Sequence, residues 1–406
     1  LMFILLHGSV ILYYGWEGDL NKYLTPIWMI VSRDIVFAFS MIYIFIASKR
    51  FYLSKEMSYL GGAIILLLLV AVLHFVDGYI DTIQHSIRNL LLYSLFIFVI
   101  PNIQLTEKDI HKLIRLFIKV LLLISAVGFI TLADSNYLYG GRVISTLYNP
   151  NTAAAILMLG ILTIFPIMVS KYKTIEFKTH KYLVIAVLIM ALIVTGSFSN
   201  MWLLFFALAI QVVVMWKFRV ISLKKFMRII LFIFSIIFIA WLSGWIDPVI
   251  NRFFDIFINN QGTSIVGRIN QYEKLLFIDN EFTSIFFGEF KSYTTHDSMY
   301  IQLFRNNGFV GLFGYLFIIF FSMILSFRMY KRAISNKNRL LPNLHYFYIG
   351  FFAFTFVEVF AGFFVTAIFY RFPVNAIFFF FYGLILSEYL VDFKNNIKKL
   401  KKRGIK

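Results

Sequence analysis

Residues 291–320 read KSYTTHDSMYIQLFRNNGFVGLFGYLFIIF. A polar run carrying Lys291, His296, Asp297 and Arg305 gives way to an apolar stretch punctuated by Gly308, Gly311 and Gly314. His296 is the one histidine of seven between positions 247 and 307. A neutral imidazole accepts the proton of an attacking hydroxyl, or orients that hydroxyl; the plainer alternative is a loop histidine with no chemistry. Asp297 follows at once, but sequence neighbours need not touch, so the two are not read as a dyad. Glu358, in EVFAGFF, is a carboxyl inside an apolar run. A carboxyl there must face the protein interior or a wet cavity. It is a second base, a counter-ion for Arg371 or Arg33, or a neutral hydrogen-bonded group.

Arginine offers a fixed-charge fork that matches phosphate oxygens. Arg142 stands in GGRVISTLYNPNTAAA and Arg268 in SIVGRINQYEKLLFID, while Arg33 and Arg371 lie at the ends of apolar runs. Several such groups converging on one hollow would hold an anionic head group. Taken singly, each is equally an interfacial arginine with its stem in lipid. In YNPN, Pro150 suits a first helical turn and Asn149 an N-cap, with Asn151 just inside. The free amides and positive dipole end of that helix would face an anion; otherwise this is a plain helix start.

The elements that must carry these groups follow from composition. Of 406 residues, 60% are apolar and 14% charged. Soluble domains are about 45–50% apolar and about 25% charged. The excess forms runs of about the length that crosses a bilayer. Twelve spans are expected, near 1–14, 30–48, 59–76, 88–104, 112–132, 152–170, 182–196, 200–217, 227–246, 308–327, 344–366 and 374–391. The fold class predicted is therefore all-α and polytopic, a single membrane domain over 1–406. One large extracytoplasmic loop, 247–307, would contain a surface-lying amphipathic helix built on Ile265, Ile269, Tyr272, Leu275 and Leu276. The chain opens inside an apolar run at Leu1, so the first span is expected to be cut short and is not read as a signal peptide.

The loops alternate in charge. One set (the 48–56, 107–115, 171–181, 217–228 and 328–339 stretches and the tail, with flanking residues) holds 28 of the 38 Lys and Arg. The other holds the remaining 10, against 13 acidic residues. Basic loops stay in the cytoplasm, which puts both termini there. The tail also suits anionic lipid heads, or simply anchors the topology. The net charge of +18 is thus a membrane-topology signal, and nucleic acid is not an expected partner. The chain has no cysteine, which excludes disulfides, thiolate metal sites and a cysteine nucleophile. There is no phosphate-cradling glycine loop, dinucleotide fingerprint or zinc-protease motif, and no internal repeat to argue a transporter. The three glycines of 308–314 are expected to let helices approach closely.

Three segments in order, GRVISTLYNPNTAAAILMLG, VGRINQYEKLLFIDNEFTSIFFGEF and THDSMYIQLFRNNGFVGLFGYLF, give the chain a resemblance to the O-antigen polymerase and O-antigen ligase superfamily. These are bacterial integral-membrane transferases of surface polysaccharide. The resemblance implies an inverting glycosyltransferase of the GT-C type in the bacterial cytoplasmic membrane, using no cofactor and no metal. Its donor would be a polyprenyl-diphosphate-linked oligosaccharide, joined to a second repeat unit by a polymerase or to another acceptor by a ligase. A flippase and a chain-length regulator are partners of such a system. By position, Arg142 and Arg268 would bind the diphosphate and His296 would act at the acceptor hydroxyl, with Asn149, Asn151, Asp297, Arg305 and Glu358 supporting. The chain departs from the family in TGSFSNMW, with Phe198 where the pattern has an arginine; that contact is either missing here or replaced by Arg371 or Arg33. A lipid-linked oligosaccharide transporter and a sensory scaffold are the alternatives. Against transport, charge inside the spans is sparse.

Overall fold

The computed structural model describes residues 27–47, 53–76, 92–103, 105–132, 138–139, 142–143, 150–170, 181–244, 282–289, 298–335, 344–363 and 373–402, together with positions 247, 250, 251 and 254. The described chain is almost entirely helical. In order come α1 (Ile27–Ala47), α2 (Lys55–Val76), α3 (Leu92–Val99, continued by a 3-10 turn at Ile100–Asn102) and α4 (Glu107–Thr131). Two short strands follow, β1 (Leu138–Tyr139) and β2 (Arg142–Val143). Then come α5 (Pro150–Val169), α6 (Lys181–Val194), α7 (Phe198–Lys217), α8 (Leu223–Leu242), α9 (Phe282–Phe287), α10 (Met299–Ser335), α11 (His345–Ala361) and α12 (Val374–Lys402).

Six of these helices (α2, α4, α5, α7, α8 and α10) are long and apolar enough to cross a membrane. Lipid offers no partner to a backbone amide, so an apolar run must bond within itself as a helix. Side chains point the same way. On α8, Leu231, Phe234, Phe238 and Trp241 are exposed, as are Phe39, Phe45 and Ile46 on α1 and Leu69 on α2. Apolar surface on this scale is not left in water; the chain is a membrane protein. Helices occur at eleven of the twelve expected spans, and the run at 1–14 lies outside the described residues.

α5 is the axis of the bundle and is buried along its whole length. α4, α6, α7, α8 and α11 pack around it, while α10 lies against α11, α2 and α9, and α12 against α3. Helix starts are locally encoded. Thr106 caps α4 by accepting from the Asp109 amide at 3.3 Å, and Asp109 accepts from the Thr106 amide at 3.1 Å, a reciprocal capping box. At the far end of α5, the Lys225 ammonium donates to the Ser170 carbonyl at 2.6 Å, a cation at the negative end of a helix dipole.

Close contacts fix the helix directions. The Asn200 side chain reaches the Asn151 carbonyl and the Gln211 side chain reaches the Leu162 carbonyl, so α7 runs parallel to α5. Gln211 also donates to the Ile349 carbonyl at 3.4 Å. There Gly350 lies so close that a Cβ would come within 2.8 Å of the Leu162 oxygen. α4 runs against α5, since Leu121 packs on Gly160 while Gly128 and Ala153 line one crevice. At the start of α4, His111 bonds Tyr346 at the start of α11. The ends of α4 and α11 and the starts of α5 and α7 therefore lie together at one end of the bundle. The candidate residues Asn151, Ser298 and Glu358 collect there.

Candidate functional site

α10 is two helices that meet at Gly308, whose φ of 59° and ψ of −159° break the helical run. The chain reverses at this point. Tyr300 and Tyr315, fifteen positions apart, bring their rings to 6.1 Å, where a straight helix would separate their backbones by about 22 Å. A Cβ at Gly311 would lie 3.2 Å from the Leu303 carbonyl. The limb 299–307 is thus laid back along 309–335. The expected span at 308–327 accordingly has helical residues from Met299 and a reversal at its start. The expected loop 247–307 loses its last nine residues to a buried limb, in which Met299, Ile301, Gln302, Leu303, Asn306 and Asn307 are covered.

Glycine is required at the reversal and at its partner. Gly308 lies against the backbone of Phe286 and Phe287, so any side chain there would overlap α9. Gly288, at φ 93°, would put a Cβ within 2.6 Å of the Asn306 and Asn307 backbone. Two backbones cross here with no side chain between them. Polar bonds close the joint. The Glu289 amide donates to the Arg305 carbonyl at 2.7 Å, and the Arg305 guanidinium meets both Glu289 carboxylate oxygens at 2.9 and 3.1 Å. The His74 ring nitrogen Nε2 lies 2.8 Å from the Phe287 carbonyl and ties α2 to the same joint. Arg305, read from sequence as a supporting site cation, has its charge matched by Glu289 within the fold.

The other end of this unit is held on α11. Ser298 Oγ donates to the Gly362 carbonyl at 3.0 Å, and the Tyr300 amide donates to the same oxygen at 3.2 Å. The Tyr300 hydroxyl bonds the Val359 carbonyl, and its ring covers Gly362. One helical turn before Gly362, on the same face of α11, stands Glu358. It is 2% exposed. Tyr315 lies within electrostatic reach of this carboxyl and of Tyr300. The expectation that Glu358 faces the protein interior holds.

Asn151 occupies the same end of the bundle. α5 begins at Pro150, where the sequence places a first-turn proline. Ser197 Oγ donates to Asn151 Oδ1 at 2.9 Å, and Asn200 Nδ2 donates to Ser197 Oγ at 2.8 Å and to the Asn151 carbonyl at 3.4 Å. The turn between α6 and α7 is thus bonded directly to the start of α5. A small crevice between Thr195, Ser125, Gly128 and Ala153 opens beside it. Arg142 is placed by its backbone, paired across the β1–β2 hairpin with Tyr139. Arg33 lies in α1. His296, Asp297, Arg268, Arg371, Asn149 and the amphipathic segment at 265–276 lie outside the described residues. Among the described residues no cluster of His, Cys, Asp and Glu could hold a metal ion.

Sequence reasoning missed Glu289, Ser298, Tyr300, Ser197 and Asn200. These partners carry no local signature. No family model matches the chain, and no curated protein matches it.

Proposed function

We propose that the chain is a membrane glycosyltransferase of the O-antigen polymerase type, a twelve-span GT-C protein of the bacterial cytoplasmic membrane with both termini in the cytoplasm. It joins polyprenyl-diphosphate-linked oligosaccharide repeat units into a surface polysaccharide on the outer face of that membrane. The observation that carries this reading is the gathering of Ser298, Glu358 and Asn151 at one end of the bundle. These residues come from three of the sequence segments read as chemical, and Ser298 stands two positions after His296. The charge alternation of the loops turns that end outward.

The chemistry follows from what the reaction needs. An acceptor hydroxyl is a poor nucleophile, and the diphosphate gathers charge as its bond to the sugar breaks. Arg142 and Arg268, with Arg371 or Arg33, hold that charge; losing one such fixed donor costs about 10²–10³-fold in rate. His296 acts on the acceptor hydroxyl. Both parts belong at the lipid–water boundary, because the donor's tail is in lipid and its sugars are in water. Sparse charge within the spans argues against a flippase, which would line a polar path across the membrane.

The experiment is polysaccharide display in cells carrying His296→Ala or Arg268→Ala. Each variant is expected at normal protein level with no long-chain polymer. Normal chain-length ladders in both variants would sink the enzyme reading. Polymer made by the purified protein from lipid-linked repeat units alone would mark a polymerase, and a requirement for a different acceptor would mark a ligase.

A further inference from the structure

We propose that Pro166 makes a hinge one turn from the far end of α5, and that Gln211 of α7 is the latch that holds it closed. The inference is independent of the enzymatic reading. Proline has no amide hydrogen, and its ring crowds the carbonyl four residues back. Pro166 lies inside α5, so the Leu162 carbonyl loses the donor that an unbroken helix would supply. In lipid, a neighbouring helix can satisfy a carbonyl freed in this way. Gln211 Nε2 donates to it at 2.7 Å, and to the Ile349 carbonyl of α11 at 3.4 Å. Gly350 lets α11 come this close, since a Cβ there would lie 2.8 Å from the Leu162 oxygen. Gln211 is fully buried, and its Oε1 has no hydrogen-bond partner among the described residues. The amide is therefore held by its N–H groups, and the carbonyl they complete is the one that the proline orphaned.

The hinge divides α5 between two neighbours. Before it, α7 holds the helix at two levels in one register, Asn200 on Asn151 and Gln211 on Leu162, each pair 49 positions apart. Beyond it, the helix resumes with the Ser170 amide on the Pro166 carbonyl at 3.0 Å. That last turn is joined to α8, by the Ser222 amide on the Val169 carbonyl at 3.0 Å and the Lys225 ammonium on the Ser170 carbonyl at 2.6 Å. α8 turns most of its surface outward, and only Ile229, Ile236 and Ala240 among its side chains are buried. With the latch closed, the last turn of α5 is fixed to α7 and α11. With it open, that turn and the start of α8 swing together.

The test is a double-mutant cycle on the full chain in detergent. Gln211→Leu is expected to lower the melting temperature when Pro166 is present. In the Pro166→Ala background it is expected to leave the melting temperature unchanged or raise it, because the restored amide at position 166 now serves the Leu162 carbonyl. The chain has no cysteine, so spin labels on Lys108→Cys and Leu223→Cys, both exposed, report the distance from α4 to the start of α8 without interference. One narrow distance is expected in the otherwise native chain, a broader distribution with Gln211→Leu, and a narrow one again when Pro166→Ala is added. Equal losses of melting temperature in the two backgrounds, or a distance that Gln211→Leu leaves as narrow as before, would overturn the latch. Gln211→Met and Pro166→Leu repeat the cycle with different packing, so that failure of one variant to fold leaves the test intact.

Discussion

Arg305 and Glu289 form a two-oxygen ion pair at 2.9 and 3.1 Å, and the Glu289 amide donates in turn to the Arg305 carbonyl. Charge and backbone therefore lock the same two residues. Between Glu289 and Ser298, itself pinned to Gly362, lie the eight positions that include His296. The pair and the serine bond together fix both ends of the segment on which the catalytic reading depends.

Breaking the pair from one side should be costly. Glu289 is largely buried and Arg305 partly so. Arg305→Ala strands a carboxylate and is expected to destabilise by about 2 kcal/mol, below the ~3–5 seen for fully buried pairs. Arg305→Ala combined with Glu289→Gln is expected to recover part of that loss. Thermal unfolding of the single and double variants in detergent measures the coupling, and strictly additive losses would show that the two residues do not work as a pair.

Two glycines give a matched contrast. Gly308→Ala meets a φ of 59° and the α9 backbone, and is expected to cost at least about 1–3 kcal/mol or prevent folding. Gly62 in α2 has open space around its Cβ position, so Gly62→Ala is expected to be neutral or to stabilise by up to ~1 kcal/mol. Relative yield of monodisperse protein and its melting temperature are the readouts. Equal behaviour of the two variants would contradict the reversal at Gly308.

Gln211 bonds carbonyls of both α5 and α11, yet its Oε1 has no hydrogen-bond partner among the described residues. Side-chain hydrogen bonds within membranes average about 0.6 kcal/mol. Gln211→Leu keeps most of the volume and removes the unsatisfied oxygen, so a change within about 1 kcal/mol is expected. Gln211→Ala leaves a cavity and should cost about 2 kcal/mol more. Unfolding of both variants under one denaturant decides it, and a larger loss for Leu than for Ala would contradict the packing described.

Arg142 sits in a hairpin whose register pairs it with Tyr139. If its guanidinium grips the diphosphate as a fork, Arg142→Lys should lose activity even though the charge is kept. A rate reduced tenfold or more in the purified system is expected. Full activity would mean that charge alone is needed.

The sequence by itself determined that the chain is helical and lives in lipid, and placed most of its long helices, though not α9 or the limb 299–307. Runs such as 150–169 and 223–242 leave the backbone no partner except itself, and that constraint acts locally. Pro150 at the start of α5 and the Thr106–Asp109 box are legible for the same reason, since each acts within one turn, the proline through its fixed φ and missing N–H and the box through its hydrogen bonds. Only the tertiary structure decided that α10 doubles back at Gly308, that Glu289 meets Arg305, and that Ser298 hangs from the turn after Glu358. The last two join residues 16 and 64 positions apart. Lipid favours any arrangement of apolar helices about equally, so helix order and facing are set by small residues and scattered polar groups that leave no periodic mark on the sequence.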